Sequence, residues 1–327
     1  MQDITDLPFM RTIARFGCPD FFVTEYFRVH IYSRLDPYLL RSITENETGR
    51  PVVAQMIGRD PTELTRTVRL LLEHPVAGID LNLGCPAPIV CRKDAGGGLL
   101  RQLDHVHRLL GELREACPDL PFTVKCRLGY HDPQEIENLV RVFEQHQLDL
   151  LTIHGRTVQE RYQTPVHPDL IRYAVEALPF PVIANGNVVD IDTGQALLEQ
   201  TGAAGLMIGR GAIRYPWLFS QLRAVLEEEK PTVPVGQDLL DYVLMLYEET
   251  ARERVDFVEE KHVQKMKKYL VFIAQGHDPA FEHQIRRVRT YQEFSDTCSA
   301  HLSHQNPLPT LPPENSKLFC GFSDLLR

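Results

Sequence analysis

The sequence predicts an α/β fold: a TIM (β/α)8 barrel that lacks its first strand in this chain, followed by a C-terminal all-helical domain. Between residues 21 and 212, short segments rich in Val, Ile and Leu alternate with longer segments of helical periodicity. This alternation is typical of parallel strands that are covered by helices on both faces. From residue 237 onward only helical periodicity remains, so a second domain follows the barrel.

Seven segments have the composition of buried parallel strands. They are 21–26, 51–58, 78–83, 122–128, 150–154, 181–185 and 205–209. A TIM barrel needs eight strands, and residues 1–8 resemble a loop that leads into a helix at 9–16. We therefore expect the first strand to precede residue 1, because a segment is missing from this chain or its start is misassigned.

The intervening segments carry apolar residues at helical spacing. They predict helices over 61–73, 104–116 and 133–146, and we expect Asp60 to cap the first of these, with Pro61 at its first position. Another helix follows residues 214–217 and runs to Glu229, before a Pro- and Gly-containing linker at 231–236. The predicted organisation is a barrel domain (1–230), a helical domain (237–300) and a Pro-rich tail (301–327).

The charge balance limits the classes of partner. The chain has 327 residues and a formal net charge of -9, which excludes a protein coated in positive charge and restricts nucleic-acid binding to a local basic patch. Residues 261–289 form such a patch, with Lys or Arg at 261, 265, 267, 268, 286, 287 and 289 against Asp278 and Glu282. Lys261, Lys265 and Lys268 have helical spacing, which predicts one shared face.

Other compositional features exclude several protein classes. The seven cysteines include no Cys-x-x-Cys pair, which argues against a disulfide framework or a zinc knuckle, so we expect no metal. No apolar run approaches the roughly 20 residues of a membrane span. The amino terminus lacks the basic start and apolar core of a secretory signal. We therefore expect a cytoplasmic protein that is not bound to a membrane, and we expect a monomer.

The carboxyl ends of the predicted strands are unusually polar. Reactive residues of parallel barrels lie at these ends, and six successive ends supply Gln55, Asn82 with Cys85, Lys125, His154, Asn185 with Gly186 and Asn187, and Gly209 with Arg210. Six polar ends predict one polar site at the barrel mouth. The last two ends favour a phosphate, because the loops after strands seven and eight commonly bind one. Further along the segment 122–128, we expect Arg127 to point away from Lys125, into the outer layer or the loop.

These motifs resemble those of the tRNA-dihydrouridine synthases, flavoenzymes that reduce uridines in tRNA. The resemblance extends from residue 1 to about residue 220, in the family's order. It is carried by 1–9 (MQDITDLPF), 24–25 (TE), 55–58 (QMIG), 80–86 (DLNLGCP), 96–100 (GGGLL), 124–129 (VKCRLG), 154–157 (HGRT), 184–186 (ANG) and 207–211 (MIGRG). Residues 24–29 are similar to the branch that modifies the 5′ side of the D-loop.

The resemblance implies an FMN cofactor, with NADPH or NADH as the reductant. The residues that it places around FMN are Met1, Gln2, Gln55, Lys125, His154, Asn185, Gly186, Asn187, Gly209 and Arg210. It implies that Cys85 donates the proton to C5 of the uracil while hydride reaches C6, and that Asn82 hydrogen-bonds the base. Lys125 would stabilise the negative charge of the reduced flavin ring.

The implied partner is tRNA, whose target base must leave its stack to reach a buried flavin. We expect Lys93 and Arg156 to border the mouth, and Lys261, Lys265, Lys268, Arg286 and Arg287 to contact phosphates of the tRNA. Two alternatives remain open: an FMN barrel that acts on a small molecule, such as a dihydroorotate dehydrogenase, and a flavin-free RNA-binding relative. The basic helical domain disfavours the first, and Cys85, Lys125 and His154 disfavour the second.

Overall fold

Parallel strands form one curled sheet in the computed structural model, which describes residues 4–162, 164–253 and 257–319. The first predicted segment, 21–26, contains β1 (Phe22–Val23), and a second short strand, β2 (Phe27–Arg28), begins directly after that segment. Both strands pair with β3 (Val52–Ile57). The sheet continues through β4 (Gly78–Leu83), β5 (Phe122–Arg127), β6 (Leu150–His154), β7 (Val182–Asn185) and β8 (Gly205–Met207). All seven predicted strand segments are therefore confirmed, and so is the α/β fold class.

Helices precede, separate and follow the strands of this sheet. They are α1 (Leu7–Gly17), α2 (Pro37–Thr44), α3 (Pro61–Leu71), α4 (Pro88–Cys91), α5 (Leu103–Ala116), α6 (Ile136–Phe143), α7 (Pro168–Ala177), α8 (Ile191–Thr201), α9 (Arg210–Arg214) and α10 (Leu218–Leu226). Short 3-10 helices span Gly96–Arg101 and Pro133–Glu135. The predicted cap of α3 is confirmed, because the Asp60 side chain accepts a hydrogen bond from the Glu63 amide over 3.0 Å.

The curled sheet is open on one side. Among the described residues β8 pairs with β7 alone, and no ladder joins it to β1. All three β8 residues are partly exposed, whereas every residue of β3 and β4 is buried. The gap between β1 and β8 therefore opens the inside of the sheet toward α1.

The carboxyl-terminal part of the described chain is helical, as predicted. It contains α11 (Gly236–Arg252), α12 (Glu259–Ile273), α13 (Pro279–Ile285), α14 (Tyr291–Leu302) and a 3-10 turn at Lys317–Phe319. Arg214 at the end of α9 is fully buried and donates hydrogen bonds to the carbonyl oxygens of Gln275, Pro309 and Thr310. The Arg214 guanidinium thus connects the C-terminal helices and the segment around Pro309 to the end of α9. In the described ranges, no helix has the length and apolar character needed to cross a membrane.

Candidate active site

A cavity of about 1020 Å³ lies at the carboxyl ends of the strands. Its lining includes the predicted site residues Gln55, Asn82, Cys85, Lys125, His154, Asn185, Gly186, Asn187, Gly209 and Arg210. The strand ends meet there because all strands are parallel and adjacent in one sheet. The structure thus brings these residues together, as expected from their positions, while Met1 and Gln2 lie outside the described residues.

Buried polar groups form the floor of this cavity. Gln55 donates to the Asp80 carboxylate over 2.8 Å, and Asn82 donates to Oε1 of Gln55 over 2.8 Å. Thr123 donates to the other oxygen of Asp80 over 2.6 Å. Each carboxamide uses one N–H in this network, so each keeps a second N–H that can face a ligand. Burial raises the pKa of Asp80 above its usual value.

The Asn82 side chain also shapes the turn that carries Cys85. Its Oδ1 atom accepts hydrogen bonds from the amides of Gly84 and Cys85, over 3.0 and 2.9 Å. On the other side, the Gly97 amide donates to the Cys85 carbonyl oxygen over 3.1 Å. A Cβ atom on Gly97 would lie 2.6 Å from Val158, so glycine is required for this close approach. The turn is therefore rigid, and it presents the Cys85 side chain to the cavity.

Tyr26 is a site residue that the motif analysis missed. Its side chain lines the cavity and forms a hydrogen bond with the Cys85 side chain. Burial, together with the neighbouring Cys85, raises the pKa of Tyr26 to about 12, so the phenol remains protonated near neutral pH. The signal in the sequence was its position directly after Thr24 and Glu25, at the end of the first predicted strand segment.

Lys125 extends into the cavity from β5. Its Nζ atom lies 3.3 Å from Oδ1 of Asn185, whose amide group in turn donates to the Met207 carbonyl oxygen over 2.7 Å. Burial, reinforced by the nearby Arg127 guanidinium, lowers the pKa of Lys125 to about 8. The ammonium group is thus weakly solvated, and it would gain from a negatively charged ligand.

Arg127 lies on the same side of β5 as Lys125, so the expectation that it would point away was wrong. Side chains two positions apart on a strand share a face. The Arg127 guanidinium is buried and donates to the carbonyl oxygens of Gly84, Thr157 and Arg161, over 3.0, 2.8 and 2.8 Å. It therefore connects the turn before Cys85 to the loop that follows β6.

His154 is neutral at physiological pH. Burial, with Arg127 as the next contribution and other cations nearby, lowers its pKa well below the usual value. Its Nδ1 atom is buried and has no hydrogen-bond partner. Tyr162 lies beside it, with ring centroids 5.9 Å apart, and Arg210 covers the Tyr162 ring at 4.3 Å. His154 thus contributes a polar atom without a hydrogen-bond partner to a part of the cavity that is surrounded by cationic side chains.

Two of the predicted tRNA contacts are corrected by the structure. Arg156 does not border the mouth, because it is 1% exposed and donates to the Thr164 carbonyl oxygen over 2.6 Å. Lys265 does not belong to an exposed row of lysines. Its Nζ atom lies 2.7 Å from Asp6 Oδ2, and only 16% of its side chain is exposed. The spacing of the lysines predicts that they share a helix face. It does not reveal that Asp6, from a distant part of the chain, pairs with Lys265.

The other predicted tRNA contacts lie at or near the surface. Lys93, Lys261, Lys268 and Arg287 are exposed, and Arg286 is partly exposed and paired with Glu282. Lys93 is two residues beyond α4, and the other four belong to the C-terminal helices or the turn after α13. No contact in the structure tests their role.

The cavity has the features needed to hold FMN. Besides Nδ1 of His154, the buried Oδ1 atom of Asn187 has no hydrogen-bond partner. Gly186 has a φ of 136°, and a Cβ atom there would lie 2.6 Å from Val166, so the backbone approaches the cavity without a side chain. Lys125 and Arg210 supply positive charge. Unsatisfied donors and acceptors, a glycine cradle and cations suit a polar ring and a phosphate.

Comparison with known proteins supports one family. Residues 1–306 match the family model described as Dihydrouridine synthase. A probable tRNA-dihydrouridine synthase of Rhodobacter capsulatus is 34% identical over 76% of this chain and 77% of the relative. The tRNA-dihydrouridine(16) synthase of Vibrio parahaemolyticus is 28% identical over 90% and 91%, respectively. An old yellow enzyme homologue from Zymomonas mobilis shares the fold, with a TM-score of 0.51, 13% identity, and coverage of 71% of this chain and 86% of that one.

Proposed function

The chain belongs to the dihydrouridine synthase family, and from this membership we propose that it reduces the 5,6 double bond of uridines in tRNA, with FMN as its cofactor and NADPH or NADH as its reductant. The observation that carries this proposal is the joint placement of Cys85, Lys125 and His154 in one cavity. A cysteine, a cation and a neutral imidazole match an acid, an anion stabiliser and a ligand for the cofactor, respectively.

The proposed cofactor site uses the unsatisfied and glycine-lined part of the cavity. Gln55, His154 and Asn185–Asn187 would hydrogen-bond FMN, and Gly209 with Arg210 would receive its phosphate. When bound, FMN supplies the hydride that reaches C6 of the uracil. The Lys125 ammonium would stabilise negative charge on the cofactor in the low-dielectric interior, where a single cation has a strong effect.

Cys85 is the proposed proton donor. Saturation of the 5,6 bond requires one hydride at C6 and one proton at C5. The S–H bond of Cys85 breaks as the new C5–H bond forms, and the resulting thiolate later regains a proton from solvent. In its thiol form the group carries this proton before the base arrives. The Tyr26 hydroxyl can donate a hydrogen bond to the sulfur as its negative charge develops.

The proposed tRNA contacts lie outside the cavity. A uridine that enters the cavity must leave its stack, at a cost of a few kcal/mol. Lys261, Lys268 and Arg287 are exposed cations of the C-terminal helices and the turn after α13, and Lys93 lies close in sequence to Cys85. Contacts from these side chains to backbone phosphates would position the strand without reading its sequence.

The decisive experiment measures flavin content, reductant oxidation and modified nucleosides in the same preparation. We expect a yellow protein whose NADPH oxidation is stimulated by unmodified tRNA, and dihydrouridine in the digested tRNA by mass spectrometry. A colourless protein that still binds tRNA would support the flavin-free alternative. Oxidation stimulated by dihydroorotate instead of tRNA would support the small-molecule alternative. Either result would overturn the proposed function.

A further inference from the structure

A second pocket, of about 500 Å³, lies beside the turn that carries Cys85. It is lined by residues of the loops after β4, β5 and β6 and by Arg101 of the following 3-10 helix. Pro86, the residue after Cys85, lines both this pocket and the larger cavity. The two spaces are therefore neighbours, and a ligand that extends out of the cavity past Pro86 reaches the second pocket.

The lining of the second pocket is cationic. Arg92, Arg101 and Arg161 contribute to it, and it includes no Asp or Glu. Arg101 is anchored, because it pairs with Asp94 over 2.7 Å and lies 4.5 Å above the Tyr130 ring. Arg92 and Arg161 are exposed, and neither has a carboxylate partner among the residues that the structure describes. In a chain with a net charge of -9, such a concentration of unpaired cations favours an anionic ligand.

The Arg127 side chain, which supports the turn before Cys85, also binds the backbone of Arg161. Arg161 has a φ of 53°, in the left-handed region that side chains seldom adopt. Its carbonyl oxygen accepts a hydrogen bond from Arg127, which also donates to Gly84. The buried Arg127 guanidinium thus connects the turn that carries Cys85 to Arg161 of the second pocket. Residues with strained backbone angles, such as Arg161, cluster at ligand sites.

We propose that the second pocket binds the backbone phosphate of a nucleotide adjacent to the target uridine in the tRNA strand. This proposal rests on the proposed function, because the strand must enter the cavity at Cys85. A phosphate suits the pocket better than a base does, because Arg101 covers the face of the Tyr130 ring on which a base would stack. The two exposed guanidinium groups of Arg92 and Arg161 suit phosphate oxygens.

The test uses the double variant Arg92→Gln and Arg161→Gln in the flavin-loaded enzyme. We expect the Kd for tRNA to rise about tenfold, and the slope of log K against log salt to fall in magnitude by about 0.7, the value for one single-strand phosphate contact. The KM for NADPH and the melting temperature should not change. The matched control, Arg69→Gln with Arg141→Gln, removes the same charge from exposed positions on α3 and α6, and should leave both tRNA quantities unchanged.

Three results would overturn the proposal. They are an unchanged affinity and salt slope for tRNA, an equal change in the control variant, and a raised KM for NADPH in place of the effect on tRNA. The last result would assign the pocket to a phosphate of the reductant. If the wild-type enzyme makes no dihydrouridine, the proposed function fails, whereas the pocket is still judged by the affinity and salt slope for tRNA.

Discussion

The Lys125 ammonium lies 3.3 Å from the side-chain oxygen of Asn185 inside the cavity. Because burial lowers the pKa of Lys125 to about 8, the side chain is charged below that pH and loses its charge above it. Negative charge on a bound cofactor would raise this pKa, so we expect the rate of flavin-dependent uridine reduction to fall as the pH rises above about 8. Stopped-flow measurements between pH 6 and 10 would detect this descending limb.

Lys125→Arg distinguishes Lys125 from other groups that titrate at alkaline pH. Arginine remains charged to a much higher pH, so the limb should move upward in pH. Lys125→Met should lower the rate over the whole range and remove the limb. A limb at an unchanged pH in both variants would assign the titration to another residue.

The Cys85 thiol and the Tyr26 hydroxyl give a second prediction. Cys85→Ala should retain the flavin and abolish dihydrouridine formation, because it removes the thiol that supplies the C5 proton in the proposed step. Tyr26→Phe removes a hydrogen bond to a group that becomes charged, worth about 1.5–3 kcal/mol, or roughly ten- to a hundredfold in rate. We expect that loss in kcat, with an unchanged KM for tRNA. Tyr173→Phe, at an exposed position on α7, serves as the control and should behave as wild type.

The Lys265–Asp6 ion pair predicts an effect on stability. Asp6 is 2% exposed, also accepts a hydrogen bond from Tyr38 over 2.6 Å, and caps α1. Lys265→Met leaves this carboxylate without its cation, and breaking a buried pair in this way costs about 3–5 kcal/mol. Urea unfolding should show a loss near the lower end, because Lys265 is partly exposed. Lys261→Met, at an exposed position on the same helix, should unfold as wild type; equal losses in both variants would contradict the prediction.

Gly186 provides a test of the proposed close approach of the backbone to FMN. Gly186→Ala places a Cβ atom 2.6 Å from Val166 at a φ of 136°. We expect this variant to bind FMN at least tenfold more weakly, a change of about 1.4 kcal/mol, as measured by fluorescence titration of the apoprotein. Gly202→Ala is the matched control. Gly202 also has a positive φ, of 67°, but the nearest atom to its Cβ would be 3.9 Å away, so FMN affinity should be unaffected.

Much of the fold was predictable because its signals are local. Runs of Val, Ile and Leu locate β3 to β8, and Asp60 followed by Pro61 locates the start of α3. The split between β1 and β2 was not predictable from the same signals. Its two short pieces are defined by separate pairings with β3, and a pairing partner is not visible in a strand's own composition.

The sequence by itself determined which strand ends are polar, and therefore which residues meet at the mouth of a parallel sheet. Only the tertiary structure decided what those side chains and their neighbours contact. Arg127, Arg156 and Lys265 are alike in the sequence as basic residues, yet they support a turn, lie in the interior and neutralise Asp6, respectively. The physical reason is that a buried cation depends on the acceptors around it. For Arg127 and Lys265 these acceptors come from segments far away in the chain.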